Sequence, residues 1–306
     1  MKIVLILSQL VFFIILSPLL SGLISKIKNN LRMRRGQSIL QPYYNLIKLF
    51  SKGQVVSQTT SWIFGITPVV VIASALAGSL LAPVFTFPTS MHLAGDFLAL
   101  IFIFTLGRFF LSLAALDAGS SFGGMGSSRE MFISSLVEPA LCLTVFSLFL
   151  QFGSTDISSF NAVKTVSVSS IVGAIALFMV AIAETSRIPV DNQETHLELT
   201  MIHEAMTLEY SGRSLALIEM AAYIKQLIWF FLIAQIIFPM SVLNPSSLSG
   251  LFLWGFYYII RILVIAAVMA VVEVSVAKMR LFRVTDFLGF VFVLGLIATI
   301  CAILRV

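Results

Sequence analysis

The chain has 306 residues, of which 59% are hydrophobic and only 11% charged, and its mean hydropathy is +1.04. Because soluble domains carry about 25% charged residues, this composition excludes an ordinary soluble fold and indicates a protein that crosses a membrane several times. The apolar runs are continuous, whereas the strands of a membrane β-barrel alternate over about ten residues. An all-α polytopic architecture is therefore predicted.

Uncharged stretches of about 20 residues, the length that spans a bilayer core, predict eight transmembrane helices. In chain order they lie at about 3–25, 65–87, 97–116, 132–152, 166–184, 224–243, 250–273 and 286–304. The first stretch is longer than the apolar part of a signal peptide, and no clear cleavage site follows it, so we expect it to remain as the first helix. Residues 1–306 are predicted to form a single membrane domain.

The basic residues predict the orientation of these helices. With the N-terminus outside, 14 of the 19 Lys and Arg residues fall in the inside connections, and only three fall in the outside ones. Cytoplasmic loops carry such an excess, so both termini are predicted to be periplasmic and the long connections at 26–61 and 185–223 cytoplasmic. The same bias explains the net charge of +5, which therefore requires no nucleic-acid partner.

The first inside connection carries seven basic residues and no acidic one. Leu40, Tyr43, Tyr44, Ile47 and Phe50 recur at the spacing of an amphipathic helix. Three interpretations stay open for this segment. It is a loop held against anionic lipid headgroups, a helix lying in the membrane interface, or a helix that docks a partner.

The second inside connection is rich in glycine. Gly123, Gly124 and Gly126 suggest a nucleotide-binding loop, but no GK[ST] sequence follows and no buried strand precedes them. A flexible re-entrant segment or a helix-capping turn is predicted instead, with the next helix beginning near Ser128.

The third inside connection concentrates the acids, because six of the chain's 14 lie between Glu184 and Arg213. Pro189 is expected to end the fifth span, after which Asp191 or Asn192 caps a new helix. Glu194 and Glu198 would share one face of that helix, with Met201 and Ala205 continuing it. Like charges at this spacing disfavour a helix slightly, so these acids are expected to serve another purpose.

Charged residues inside the spans require partners. Arg108 lies in the middle of the third span, where an unpaired Arg costs about 2.5 to 3.5 kcal/mol to insert. Its candidate partners are Asp117, Glu138, Glu184 and Glu273; Glu184 is also close enough in sequence to pair with Arg187. Carboxylates gathered in this way can take up and release protons near neutral pH. The alternative is that they form ion pairs that only position the helices.

No metal site is predicted. Cys142 and Cys301 are single and fall within spans. His196 and His203 lack an HExxH context and a third ligand, so they are interpreted as interfacial histidines. Any redox metal is expected in another subunit.

Three classes of function remain at this point. A membrane prenyl- or phosphotransferase would need acidic metal-diphosphate motifs, of which 191–194 is one weak candidate without a second copy. A secondary transporter would show repeats with broken helices. A subunit that couples a soluble redox module to proton movement needs acidic docking loops, internal carboxylates and no cofactor of its own.

Three loop motifs, in order along the chain, resemble one family. The segments "RMRRGQSILQPYYNLIKLF", "RFFLSLAALDAGSSFGGMGSSREMFISSLVEPAL" and "AETSRIPVDNQETHLELTMIHEAMTLEYSGR" are similar to the eight-helix membrane subunit of respiratory complex I and of the group 4 membrane-bound NiFe hydrogenases. Within the family the formate hydrogenlyase and hydrogenase-4 type is the most similar. Gln37 and Asn45 depart from the usual Pro and Asp of the first motif.

The resemblance implies a subunit of a bacterial or archaeal cytoplasmic (inner) membrane that clamps hydrogenase-like large and small subunits and starts a charged pathway toward antiporter-like membrane subunits. The NiFe and iron-sulfur clusters would belong to those partners, no cofactor is expected in this chain, and no quinone site is predicted. The implied proton-relay candidates are Asp117, Glu130, Glu138, Glu184, Asp191, Glu194, Glu198, Glu209 and Glu273. The implied charge partners are Arg108, Arg129, Arg187, Arg213 and Arg261, and the implied docking loop contains Arg34, Arg35 and Gly36.

Overall fold

The structure is a computed structural model that describes residues 2–82, 97–157, 167–192, 201–238 and 248–304, with side chains described for all of these except 2–5 and 248–254. Its regular secondary structure in these ranges is helical. The helices are α1 (Lys2–Leu31), α2 (Gln41–Ser51), α3 (Trp62–Leu81), α4 (Phe97–Asp117), α5 (Ser121–Phe152), α6 (Val168–Glu184), α7 (His203–Thr207), α8 (Gly212–Ile237), α9 (Leu248–Ser275) and α10 (Leu281–Leu304).

Seven helices in the described ranges are long and apolar enough to cross a membrane, namely α1, α3, α4, α5, α8, α9 and α10. They coincide with seven of the eight predicted spans and confirm a multi-pass helical membrane protein. The remaining predicted span corresponds to α6, which has 17 residues and is therefore about 25 Å long. The eighth crossing and the orientation of the termini stay predictions.

The glycine-rich connection is helical, so the predicted re-entrant segment and the predicted helix start near Ser128 are wrong. α5 begins at Ser121, and its N-cap Ser120 accepts a hydrogen bond from the Gly123 backbone N–H at 3.1 Å. A side chain at Gly126 would lie 2.8 Å from the Ala205 Cβ and 3.0 Å from the Ile202 carbonyl oxygen. Close packing of α5 against α7 therefore requires glycine there and stabilises a helix that composition disfavours.

The predicted amphipathic helix in the first connection is confirmed as α2. Pro42 and Leu46 are buried, and the helix contacts α1 and α8. Tyr44, Ile47 and Phe50 are exposed on its other side. α2 therefore lies against the helical bundle with an apolar face that none of the described residues covers.

α8 is the central helix of the bundle and contacts α1, α2, α3, α6 and α9. It begins at Gly212, well before the predicted start near 224. Trp229 and Phe230 on this helix are fully buried, which makes α8 the core around which the other helices pack. Charged or amide side chains on such a helix must find partners inside the protein.

The third connection differs from its prediction. Residues 193–200, which contain Glu194, Glu198 and His196, lie outside the described residues. Met201, which was expected to continue a helix through them, is not helical, and the short helix α7 begins only at His203. The predicted break after the fifth span is confirmed, since α6 ends at Glu184.

Candidate functional site: buried ion pairs around a cavity

Arg108 is the centre of the first cluster of buried charges. Its Nη1 donates to Glu184 Oε1 at 2.6 Å and its Nη2 donates to Glu138 Oε1 at 2.9 Å. Lys225 Nζ lies 2.8 Å from the other oxygen, Glu184 Oε2. Four helices, α4, α5, α6 and α8, thus contribute to the first cluster, and the prediction that Arg108 pairs with carboxylates of other spans is confirmed for Glu138 and Glu184.

Glu184 is the member most sequestered from solvent. Its side chain is 2% exposed, and both of its oxygens bind a cation. Lys225 also lies over the Phe104 ring, 5.7 Å from its centroid, a position in which the ring quadrupole attracts the ammonium. A buried carboxylate with two cationic partners is held strongly, because removing either partner would leave an uncompensated charge.

A second cluster is built around Glu273 on α9. Lys28 Nζ lies 2.6 Å from Glu273 Oε2, and Arg187 Nη1 donates to Glu273 Oε1 at 3.3 Å. The Arg187 Nη2 donates to Gln226 Oε1 at 2.8 Å. The two clusters adjoin, since the end of α6 supplies Glu184 and Arg187 while α8 supplies the consecutive residues Lys225 and Gln226.

The predicted pairing of Glu184 with Arg187 is wrong, and the end of α6 gives the reason. Ser186 has a φ of 51°, and its N–H donates to the Ala183 carbonyl at 3.2 Å while the Arg187 N–H donates to the Ile182 carbonyl at 3.0 Å. These two bonds form a Schellman motif, which reverses the chain direction. Arg187 is thereby directed to Glu273 rather than back to Glu184.

Asp191 organises the connection that follows. Its Oδ2 accepts hydrogen bonds from the N–H groups of Ile202 and His203, both at 3.1 Å, and its Oδ1 accepts one from Lys278 Nζ at 2.7 Å. Asp191 is 1% exposed. Asp191 thereby fixes the start of α7, whereas the helix that Asp191 or Asn192 was predicted to cap would occupy residues outside the described ranges and stays a prediction.

A cavity of about 80 Å³ lies beside the two clusters. The charged and amide side chains of the clusters that line it are Arg108, Glu184, Arg187, Lys225 and Gln226, and Glu130 and His203 line it as well. Val71, Ala75, Phe104, Leu111 and Ile218 form much of its apolar wall. Groups that bind or exchange protons therefore share one small space lined by residues of α3, α4, α5, α6, α7 and α8.

His203 is placed at this cavity by α7. Burial lowers the pKa of His203 below its ordinary value; nearby Glu130 and Asp191 oppose that effect, and Lys225 adds to it. The imidazole is therefore kept neutral at physiological pH. In the part of the chain that the structure describes, no group of His, Cys, Asp and Glu has the arrangement of a metal site.

The other predicted relay acids occupy different places. Asp117 accepts a hydrogen bond from the Ser61 N–H at 2.8 Å, away from Arg108, so the suggestion that it partners Arg108 is wrong. Glu130 lines the cavity, whereas Glu209 is exposed at the surface. Glu194 and Glu198 lie outside the described residues.

Four other predicted cations, and the glycine of the predicted docking loop, lie away from the two clusters. Arg129 donates to the Met201 carbonyl at 3.0 Å and so fastens α5 to the segment before α7. Arg213, Arg34 and Arg35 are exposed, and Gly36 lies against the Asn29 side chain. None of these joins either cluster.

Arg261 is buried in α9 without a carboxylate partner among the described residues. It donates to the Phe238 carbonyl at the end of α8, and its guanidinium lies 5.3 Å and 5.5 Å from the ring centroids of Tyr257 and Tyr258. A cation at a helix C-terminus is favourable for the helix dipole. Arg261 thus stabilises the end of α8 rather than pairing with the predicted acids.

Sequence reasoning missed Lys28, Lys225, Gln226 and Lys278. Lys28 was predicted to follow the first span, and Lys225 was counted with the inside connections at the very start of the sixth span. α1 continues to Leu31 and α8 begins at Gly212, which places both residues well inside helices. The sequence did indicate that Lys225 lies within a helix, because the apolar residues of "AAYIKQLIWFF" keep a helical spacing on both sides of it.

The fold and the site together define a helical, multi-pass membrane protein with a cavity lined by buried ion pairs. The chain belongs to the NADH dehydrogenase family, whose sequence model matches residues 1–304. This membership confirms the family resemblance of the loop motifs.

Two relatives from Escherichia coli (strain K12) are similar along most of the chain. Formate hydrogenlyase subunit 4 is 31% identical over 272 residues, covering 87% of this chain and 87% of the relative. Hydrogenase-4 component C is 30% identical over 290 residues, covering 93% and 91%. NADH-quinone oxidoreductase subunit 8 of Rhodothermus marinus is 25% identical over 211 residues, covering 65% and 60%. The similarity therefore extends to membrane subunits of both hydrogenase and quinone-reducing complexes.

A solved structure supports the fold independently. A chain of the membrane-bound sulfane sulfur reductase, an archaeal respiratory membrane complex, superposes with a TM-score of 0.83 and covers 99% of this chain and 100% of that one. The sequence identity is 15%, so this likeness concerns the fold alone.

Proposed function

We propose that this chain is the membrane-anchoring and coupling subunit of a multisubunit, redox-driven, proton-translocating complex of the group 4 hydrogenase or formate hydrogenlyase type. The proposal is supported by the two relatives that are at least 30% identical over most of the chain. One structural observation supports the part of the proposal that concerns proton movement. The buried Glu184 carboxylate is held between Arg108 and Lys225 at the wall of the cavity.

The chemistry that Glu184 offers is an exchange of partners. When Glu184 is ionised, it neutralises two cations that would otherwise be uncompensated in a low-dielectric interior. When it takes up a proton, Arg108 retains Glu138, whereas Lys225 loses the one carboxylate that it contacts in the part of the chain that the structure describes. Proton uptake and side-chain movement are therefore linked at this residue, as a relay requires.

The docking half of the proposal rests on the loops. Val55 and Ser211 exchange two hydrogen bonds, at 2.9 Å and 3.0 Å, and Thr59 Oγ1 donates to the Ala118 carbonyl at 3.3 Å. The three inside connections thus form one continuous face, with Val55 76% exposed. In this proposal the face is cytoplasmic, all eight spans cross the inner membrane, and a hydrogenase-like large subunit and its iron-sulfur partner bind there.

The partners would supply all of the redox chemistry. NiFe and iron-sulfur clusters belong to the bound subunits, and antiporter-like membrane subunits receive the charge pathway. This chain's own residues hold the partner, exclude water from the bundle and move protons at the carboxylates of the two clusters.

The test of the coupling half is Glu184→Gln in the intact complex. The matched control is Asp286→Asn, which neutralises an exposed acid on α10 away from both clusters. We expect Glu184→Gln to abolish proton movement coupled to redox turnover while the complex still assembles, and Asp286→Asn to leave both unchanged. Full coupling with Gln at 184 would refute the relay.

The test of the docking half is affinity purification of the tagged chain in mild detergent, followed by mass spectrometry. A hydrogenase-like large subunit, an iron-sulfur subunit and antiporter-like proteins are the expected companions. Recovery of a lone or homo-oligomeric chain would contradict the proposal and favour a stand-alone transporter.

A second candidate is the quinone-site subunit of an NADH:quinone oxidoreductase. It is favoured by the mixed apolar and polar lining of the cavity, which is the composition of small-molecule sites, and by the quinone-reducing relative. Reduction of a short-chain quinone by the purified complex, lost on narrowing the cavity with Ala222→Phe, would establish it. Turnover with an electron acceptor other than quinone and unaffected by that change would exclude it.

A further inference from the structure

Two buried hydrogen-bond donors meet at the boundary between the two clusters. Arg187 Nε and Gln226 Nε2 have no acceptor in the part of the chain that the structure describes. Arg187 is 8% exposed and Gln226 is 2% exposed. Both residues line the cavity. Buried donors in folded proteins are almost always satisfied by protein or by ordered water, so this pair requires an acceptor that enters the cavity.

The orientation of the Gln226 amide follows from its neighbour. Its Oε1 accepts from Arg187 Nη2 at 2.8 Å, and the opposite orientation would set an NH₂ group against a guanidinium. The Nε2 of Gln226 is therefore the atom that remains available.

The charge of the surroundings indicates which kind of acceptor fits. The cations of the clusters are Lys28, Arg108, Arg187 and Lys225, and the acids of the clusters and the adjoining wall are Glu130, Glu138, Glu184 and Glu273. The numbers of the two signs are equal, so an anion would add an unbalanced charge to a low-dielectric space. A neutral oxygen satisfies the two donors without that cost.

The size of the space selects among neutral oxygens. The cavity is about 80 Å³, and one ordered water needs roughly 10–15 Å³ of such space. Several waters fit, and each can accept a hydrogen bond from a buried donor while donating hydrogen bonds to a carboxylate.

We propose that Arg187 and Gln226 form an ordered-water site that joins the Glu184 cluster to the Glu273 cluster. A water that accepts from Arg187 Nε and Gln226 Nε2 has two protons to donate toward the carboxylates on either side. Gln226 is then a positioning residue, because it holds the Arg187 guanidinium and one face of the water. The contribution of this water to proton transfer rests on the proposed function, whereas the site itself does not.

The direct test is a cryo-EM map of the intact complex in lipid nanodiscs, at a resolution that shows ordered waters. We expect compact density within hydrogen-bonding distance of both donors. Donors that turn to protein acceptors with no density between them would overturn the site. An elongated density would also overturn it and would identify an organic ligand with a carbonyl oxygen, such as a quinone.

The functional test compares two glutamines on the same helix. Gln226→Met removes the amide that holds the water, while Gln235→Met is the matched control, because Gln235 is 1% exposed and donates to the Ile157 carbonyl instead. We expect Gln226→Met to lower proton-coupled turnover about tenfold, the loss produced by one hydrogen bond to a charged group. Gln235→Met should leave coupling unchanged, and equal effects of the two would refute the linking role.

The two proposals fail separately. If the map shows no density between Arg187 and Gln226, the water site is refuted, whether or not Glu184→Gln abolishes coupling. If coupling is complete with Gln at 184, the relay is refuted, whether or not the water is seen.

Discussion

Arg108 on α4 and Glu184 at the end of α6 form a direct ion pair, with Arg108 Nη1 at 2.6 Å from Glu184 Oε1. The two residues are 76 positions apart in the chain, so their meeting depends on the packing of the bundle. The pair is nearly inaccessible to solvent, with side chains 9% and 2% exposed. Removing one member of such a buried pair leaves the other charge uncompensated, and this pair links α4 to the end of α6.

The first prediction concerns this pair. Arg108→Met is expected to destabilise the protein by about 3–5 kcal/mol, because Glu184 and Glu138 lose a buried partner. Arg108→Met with Glu184→Gln should cost less than the sum of the two single changes, with a coupling energy of about 0.5–3 kcal/mol. Denaturant titration of the purified protein in detergent measures these values. If the losses of stability of the two single variants simply add in the double variant, the contact between Arg108 and Glu184 contributes no coupling energy.

The second prediction concerns the close packing of α5 on α7. Gly126→Ala places a Cβ 2.8 Å from the Ala205 Cβ, so α7 must move, at a cost of about 1–3 kcal/mol. Gly124→Ala is the control, since nothing lies within 4 Å of its added Cβ and alanine favours a helix by about 1 kcal/mol. Hydrogen exchange should accelerate at Ala205 and Met206 only with Ala at 126. Equal protection of α7 in both variants would contradict this packing.

The third prediction concerns pH. His203 has a pKa below its ordinary value because burial disfavours the charged ring. In the unfolded chain the His203 side chain binds a proton near pH 6.5, whereas in the folded chain it binds that proton only at a lower pH. The contribution of His203 to stability is therefore fully present above pH 6.5 and is lost as the pH falls below it, until the folded pKa is reached.

Melting temperatures at pH about 5.5 and about 7.5 test this. The decrease on acidification should be smaller in His203→Gln, which cannot take up the proton. The groups that face His203, namely Glu130, Asp191 and Lys225, are unchanged in that variant and serve as an internal reference. An identical pH dependence in both proteins would exclude His203 as its source.

The fourth prediction concerns orientation. In a background with Cys142 and Cys301 replaced by alanine, Ser57→Cys lies in the exposed loop between α2 and α3, and Ser154→Cys lies just beyond the opposite end of the bundle at α5. A membrane-impermeant maleimide should label Ser154→Cys in intact spheroplasts and Ser57→Cys only in inverted vesicles. The reverse pattern would show that the termini are cytoplasmic.

Sequence alone determined the class of the protein and most of its helices. Each membrane-spanning helix can be recognised from its own continuous apolar run, because a helix in lipid satisfies its backbone hydrogen bonds within itself. The amphipathic spacing of α2 and the need of Arg108 for carboxylates follow from the same local energetics. The three loop motifs and their order along the chain were sufficient to identify the family, because they can be recognised in the sequence without any knowledge of the tertiary contacts.

Tertiary structure decided which charges meet. The Schellman turn at Ser186 sends Arg187 to Glu273, and the early start of α8 brings Lys225 to Glu184 and Gln226 to Arg187. The glycine-rich segment before Arg129 is helical in a place where α7 packs on Gly126. These outcomes depend on contacts between residues far apart in sequence, and a buried charge finds its lowest energy with whichever partner the packing brings within reach.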